Sequence, residues 1–223
     1  MKHKRLTAMF LYGLSVLCLG LYVIAYRGWI FLLLCALAFS ACGFSYGGSR
    51  ILCKLHPASQ TRILHITFAG FFLLYGSLLL YLTLGEERGY LDQMKHLSTL
   101  QYFLQTSNFY PFQLLRDFQQ IPYRDANAYF RLGENIVGNL VLFTPMAFFL
   151  PLFCKACRKL TGFCIGLCST VLLIEMTQAL SRYGVFDVDD LILNIGGGML
   201  AFWLLRFPKL HSFLERSFTK IPF

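Results

Sequence analysis

Apolar positions along this chain gather in long blocks, and six such runs stand out. Leu6 to Tyr26 and Gly28 to Ser49 carry no charge, and Ile63 to Gly85 offers only His65 as a candidate charge. Asn135 to Cys154 carries none, Leu160 to Ser181 carries only Glu175, and Leu191 to Leu205 carries none but is short. A membrane-crossing helix needs about 20 apolar residues. Five runs meet that length, and the sixth does so if Phe207 is added and Arg206 snorkels. The pattern predicts an all-α polytopic membrane protein with six transmembrane helices. Lys2, His3, Lys4 and Arg5 before the first run resemble the start of a signal peptide. The run is longer than such a peptide's apolar core and no clear cleavage site follows, so a retained first helix is expected.

The segment from Glu86 to Glu134 belongs to no run. It holds ten aromatic residues, too many for a solvated linker: Tyr90, Tyr102, Phe103, Phe109, Tyr110, Phe112, Phe118, Tyr123, Tyr129 and Phe130. Leu91, Met94, Leu97 and Leu104 recur at near-helical spacing, and Pro111 and Pro122 punctuate the stretch. One or two short helices lying on the outer leaflet are expected here, or a small cap packed on the bundle. The domain reading is a two-helix extension at 1–62, a membrane domain at 63–207 that includes the outer segment 86–134, and a tail at 208–223.

Charge sets the orientation. With the N-terminus inside, the inner segments carry 13 of the 20 Lys and Arg residues and the outer ones carry 7. Short loops rich in Lys and Arg stay on the cytoplasmic side, which predicts two cytoplasmic termini. Net charge is +9, mean hydropathy is +0.57, and charged residues make up 14% of the chain against 57% hydrophobic. So little charge cannot coat a soluble surface. That argues against a soluble enzyme and a disordered chain, and it favours a basic membrane face over a nucleic-acid partner. Of the eight cysteines, Cys18, Cys35, Cys42, Cys164 and Cys168 lie inside apolar runs. Cys53, Cys154 and Cys157 lie in or beside basic loops. Cys154-x-x-Cys157 has metal or redox spacing, but no second pair follows, so all eight read as small hydrophobes.

Polar residues inside a membrane are costly and demand a reason. Glu175, Gln178 and Arg182 are spaced to share one face of the fifth helix, with Glu175 about 10 Å deeper than Arg182. Asp187, Asp189 and Asp190 follow in the joint to the sixth helix, where Asp190, Asn194 and Gly197 or Gly198 share a face. Asn135 and Asn139 sit one turn apart on the fourth helix. Gly196-Gly197-Gly198 lets another helix approach closely, and Pro145 and Pro151 free backbone carbonyls. One outer-leaflet polar pocket is expected, formed by Asn135, Asn139, Glu175, Gln178, Arg182, Asp187, Asp190 and Asn194. The bland alternative is that these groups only hold helices together, with Arg182 clamping Asp187 or Asp190. Asp187, Asp189, Asp190 and Glu175 supply oxygen ligands for a divalent cation, but without a calcium-loop spacing. No residue pattern specifies a metal or a cofactor, and no His stands beside a nucleophile in the cluster.

The same residues carry a family likeness. Asn135-Ile-Val-Gly-Asn139-Leu-Val-Leu-Phe143-Thr-Pro145 and the run on to Pro151, together with Glu175-Met-Thr-Gln178 and Arg182, resemble the signature of the VanZ-like membrane proteins. So do Phe186-Asp187-Val-Asp189-Asp190, Asn194-Ile-Gly196-Gly197 and the upstream Asn108-Phe-Tyr-Pro111-Phe112. The likeness covers the third helix through the sixth, and Ala147 stands where the family often has Gly. It implies a bacterial cell-envelope membrane, a Gram-positive source and a part in teicoplanin-type glycopeptide resistance, but it supplies no reaction. Two main functional readings stand. One is a binder of a membrane lipid, a lipid-linked cell-wall precursor or an amphiphilic antibiotic. The other is a membrane enzyme acting on such a lipid, with Glu175 and Asp190 as acid and base or metal ligands. A transporter is disfavoured by the apolar inner halves of the helices.

Overall fold

The computed structural model describes residues 2–26, 31–84, 96–120, 125–208, 210 and 212. The described residues are helical, with no strand beyond one isolated bridge. In chain order the helices are α1 (Lys2–Tyr26), α2 (Phe31–Leu55), α3 (Gln60–Leu84), α4 (Thr99–Thr106), α5 (Gln113–Gln120), α6 (Ala126–Leu142), α7 (Met146–Phe153), α8 (Leu160–Ser181) and α9 (Val188–Leu205). Short 3₁₀ turns at Pro57–Ser59 and Lys155–Arg158 lead into α3 and α8. Among the described residues, four segments are long and apolar enough to cross a membrane: Pro57–Leu84, Ala126–Phe153, Leu160–Ser181 and Val188–Leu205. Large apolar side chains on α8 such as Ile165, Leu172, Leu173 and Leu180 remain exposed, as a helix facing lipid requires.

Two compact units form, Met1–Ser77 and Leu78–Phe223, with the division inside α3. In the first unit, small residues let α1 and α2 pack tightly. A Cβ on Gly48 would stand 3.0 Å from the Tyr12 ring, and Ala8 and Ala41 are buried. Hydroxyls link the three helices where apolar packing alone gives no direction. Ser49 Oγ lies 2.7 Å from Tyr12 Oη and 2.6 Å from Thr67 Oγ1, and Ser15 lies 2.5 Å from Ser45. A cleft of about 360 Å³ opens beside this ladder.

In the second unit, the fourth apolar run extends further than its hydrophobicity indicates. Asp125 accepts a hydrogen bond from Ala128 N at 3.0 Å and starts α6 at Ala126, so residues 126–134 are helix and not outer loop. Arg131 and Glu134 end the apolar run without ending the helix, because an N-cap sets a helix start independently of hydropathy. The run then breaks at Phe143-Thr144-Pro145, where the Val141 carbonyl, deprived of a donor by Pro145, accepts from Thr144 N and Thr144 Oγ1. Between the third and fourth runs, where one or two short helices are expected, the described residues hold α4 and α5. Leu91, Met94 and Pro122 fall outside the described residues, as does most of the tail expected at 208–223.

α9 ends at Leu205, and Arg206 does not extend it. Its guanidinium lies 3.5 Å from the centre of the Phe202 ring and donates to the Arg158 carbonyl. α9 meets its neighbours through glycine. A Cβ on Gly197 would lie 1.7 Å from the Leu140 carbonyl oxygen of α6, and one on Gly198 would lie 2.6 Å from Leu167 of α8. Gly196 faces open space. Overpacking a close contact costs about 1–3 kcal/mol or more. Gly197→Ala is therefore expected to lower the melting temperature and membrane abundance sharply, with Gly196→Ala close to wild type. Equal melting of the two variants in detergent would contradict this packing.

Candidate functional site

The residues from Phe186 to Asp190 organise the second unit's polar groups. Asn108 N donates to Phe186 O at 2.8 Å and Val188 N donates to Asn108 O at 3.1 Å, so the chain before α5 pairs with the chain before α9. Asp187 caps α9: its Oδ1 accepts from Asp189 N at 2.7 Å and from Asn108 Nδ2 at 2.9 Å. Asn108 Oδ1 in turn accepts from Tyr110 N at 3.0 Å. Asp189, only 5% exposed, takes Phe112 N on one oxygen at 2.5 Å and Leu114 N on the other at 2.8 Å. The backbone is shaped to allow this, since Phe112 adopts a left-handed φ of 65°. Asp190 accepts from Asn139 Nδ2 at 2.5 Å and from Asn135 Nδ2 at 3.4 Å, while Asn139 also donates to Asn135 Oδ1 at 3.1 Å. Three neighbouring carboxylates thus face three different elements. Their oxygens do not converge as cation ligands, and among the described residues no three His, Cys, Asp or Glu side chains gather.

The aromatic segment docks on the same joint. Tyr102 is fully buried and donates to Gly184 O at 3.0 Å. Phe103, Phe109 and Phe186 pack together with ring centres 5.7–5.9 Å apart. Such contacts hold α4 against the joint before α9, each ring pair adding about 0.5–1.5 kcal/mol beyond its buried area.

Arg182 departs from the expected aspartate clamp. It ends α8 in the left-handed conformation, with φ 64°, and so leaves the helical face it was expected to share. Its guanidinium lies over the Tyr102 ring at 5.7 Å and donates to Leu97 O at 2.8 Å and Thr99 Oγ1 at 3.4 Å. These bonds direct it to the start of α4 and not to the Asp187 cap of α9. The buried Gln178 side chain donates from Nε2 to Thr83 O at 2.8 Å, tying α8 to the end of α3, while the Gln178 backbone carbonyl accepts from Gly184 N at 3.2 Å. Glu175 is 5% exposed, one turn before Gln178.

Of the eight expected site residues, Asn135, Asn139 and Asp190 are joined directly by hydrogen bonds. Asp187, Gln178 and Arg182 bind structural partners, and Glu175 is buried on α8. Asn194 stands apart: it is 1% exposed and its Oδ1 has no hydrogen-bond partner. It sits on α9 between Asp190 and Gly197, in a direction that falls between the Gly197 side meeting α6 and the Gly198 side meeting α8. Ser107 Oγ, beside Asn108, is likewise buried without a partner. Tyr102, Asn108 and Asp189 were not in the expected set. The signal for them was the aromatic density of the outer segment and the Asn108-Phe-Tyr-Pro111 run.

Removing Asp189 strands two backbone donors, and each lost hydrogen bond to a charged group costs about 1.5–3 kcal/mol. Asp189→Ala is expected to melt well below wild type and to open residues 96–120 to limited proteolysis. Because Arg182 binds Leu97 O and Thr99 Oγ1 while Asp190 binds Asn135 and Asn139, the losses in Arg182→Ala and Asp190→Ala are expected to add in the double variant. Partial recovery in the double variant, read by melting temperature, would show a coupling that the geometry lacks.

No curated protein and no solved structure gives a match to this chain. The family model VanZ/LLP1 matches residues 72–209, more than half of the sequence and a span that contains all eight expected site residues. The chain belongs to the VanZ/LLP1 family.

Proposed function

We propose that this protein is a multi-pass membrane protein of the bacterial cell envelope that holds the polar head of a lipid, a lipid-linked cell-wall precursor or an amphiphilic glycopeptide. The head sits where α6 and α9 cross. α1 and α2, at 25 residues each, complete six spans with the four long apolar segments, and both termini face the cytoplasm. α4 and α5 lie at the outer surface, and residues 1–62 form a two-helix extension. A teicoplanin-resistance role follows from the family likeness.

The observation that carries the reading is Asn194. A buried amide oxygen without a partner costs about 1–3 kcal/mol, and a purely structural cluster has no reason to retain it. Asn135, Asn139 and Asp190 present the other polar groups of the same crossing. The Asp190 carboxylate, flanked by Asn135 and Asn139 at the more exposed end of the crossing, suits a hydroxyl or amine donor of a headgroup, and the Asn194 oxygen behind it is reached when α6 and α9 part.

The test is Asn194→Leu, which keeps the branching and the number of side-chain heavy atoms and removes both polar atoms. Its melting temperature is expected to equal or exceed that of wild type. Lipid mass spectrometry on the purified protein is expected to show several-fold less of the hydroxyl- or amine-bearing lipid that copurifies with wild type. Equal copurification together with unchanged teicoplanin susceptibility would end the proposal. The six-span topology has its own check. Cysteine-accessibility labelling is expected to find residues 96–120 and 183–187 outside and residues 56–59 and 155–159 inside. An outside location for Lys155 would sink it.

A further inference from the structure

The joint between α7 and α8 holds a pair of thiols that the polar site does not use. Cys154 N donates to Leu150 O at 2.8 Å as the last bond of α7, and the residue then turns extended, with φ −119° and ψ 112°. Cys157 N reaches back to Cys154 O at 3.1 Å, closing a 3₁₀ turn over Lys155–Arg158. Residues three apart in such a turn bring their side chains onto one face, and the two thiols are within hydrogen-bonding reach of each other.

The two sulfurs differ in access. Cys154 is exposed. Cys157 is 5% exposed and lies under the first turns of α8, where a Cβ on Gly166 would stand 3.1 Å from its sulfur. Its S–H has two acceptors within reach, Gly162 O at 3.5 Å and the Cys154 sulfur. α8 clamps this turn from above: a Cβ on Gly162 would lie 2.1 Å from Ala156 O, so only backbone fits there. Arg158 fixes the other side by donating to Pro151 O at 3.1 Å. The turn is therefore packed on two sides, with one sulfur at the surface and the second held behind it.

We propose that Cys154 and Cys157 form a redox-active dithiol, with Cys154 the attacking thiol and Cys157 the resolving thiol, closed reversibly by exchange with a low-molecular-weight disulfide. Cys154 thiolate attacks one sulfur of that disulfide, forming a mixed disulfide and releasing one thiolate, which takes up a proton. Cys157 then gives up its proton and attacks the Cys154 sulfur. The internal Cys154–Cys157 bond forms and the second small thiol leaves. Two protein thiols are oxidised and one small disulfide is reduced to two thiols.

The electrostatics match this order of events. The hydrogen bond from Cys157 holds the Cys154 thiol below its ordinary range. Burial, and then the same hydrogen bond, push Cys157 up to about 11. The thiolate is the nucleophile in exchange, so the exposed sulfur reacts first. Lys155, Arg158 and Lys159 make the joint basic, which further favours a thiolate there. On the inner side that the proposed topology gives this joint, such a dithiol serves as a transient switch or catalyst and not as a permanent staple. Its closure also removes the S–H that Cys157 offers to Gly162 at the start of α8.

The experiment uses the full-length protein in detergent, treated with glutathione disulfide and then alkylated, with peptide mapping of residues 150–160. Wild type is expected to lose both alkylatable thiols at 154 and 157 to an internal disulfide that dithiothreitol reverses. Cys157→Ser is expected to accumulate one glutathione on Cys154. Cys154→Ser is expected to leave Cys157 alkylatable, with modification slower by about tenfold. Both substitutions keep size and polarity, and a melting curve on each confirms folding. Persistence of two free thiols in wild type, or a stable glutathione adduct on wild-type Cys154, would overturn the proposal, as would equal reactivity of the two serine variants. None of these outcomes depends on the polar site of α6 and α9.

Discussion

A buried carboxylate with both oxygens on backbone N–H groups is the fixed point of the second unit. Asp189 holds Phe112 N and Leu114 N and so carries the start of α5 on the first turn of α9. That contact requires Phe112 in the left-handed region, which a bulky residue occupies only under compulsion. It also determines the directions of its neighbours. With Asp189 aimed at α5, Asp187 turns back to cap α9 and Asn108, and Asp190 falls one helical step away toward α6. Low dielectric makes each of these charge-assisted bonds stronger and each failure more costly.

This arrangement separates structural polar groups from the remainder. In a membrane, polar contacts between helices serve as glue because apolar packing does not favour one helix neighbour over lipid. The Ser49–Thr67 and Tyr12–Ser49 bonds of the first unit are of that kind, as is Gln178 on Thr83 O. Gln178, Asp187 and Asp189 have their hydrogen bonds to protein partners, so they need no ligand to explain their burial. Asn194 differs because its oxygen is enclosed and unmet. The close approach of α6 and α9 at Gly197 is what encloses it, since a side chain there would part the helices.

Much of this was legible in the sequence. The apolar runs mark the long helices, and the one-turn spacing of Asn135 with Asn139 and of Asp190 with Asn194 marks the faces that meet. Gly197 and Gly198 mark the close contact. Three things were not legible. The start of α6 at Ala126 is set by one Asp125 hydrogen bond, which hydropathy does not register. Arg182 looked like a helical residue because its spacing from Glu175 is helical, but a left-handed φ places it in the turn. Asp189 looked like one of three equivalent acids. Its distinct role depends on contacts with residues more than 70 positions earlier, and no local pattern encodes a partner at that separation.

The cysteines follow the same logic of position over composition. An apolar surrounding makes a thiol a small hydrophobe, and most of the chain's cysteines sit in such surroundings. Cys154 and Cys157 differ because a helix ends between Leu150 and Cys154, freeing the chain to fold a tight turn. Gly162 then lets α8 press directly on that turn. The result is two identical groups three residues apart in unequal surroundings, one exposed and one enclosed. Reactivity in thiols follows from that inequality, because the exposed partner can ionise and be approached while the enclosed one can only answer it. The same physics governs the polar crossing of α6 and α9, where an enclosed acceptor stands beside groups that already have partners. In both places backbone contact at a glycine decides which side chains are shut in, and the chemistry follows from the enclosure.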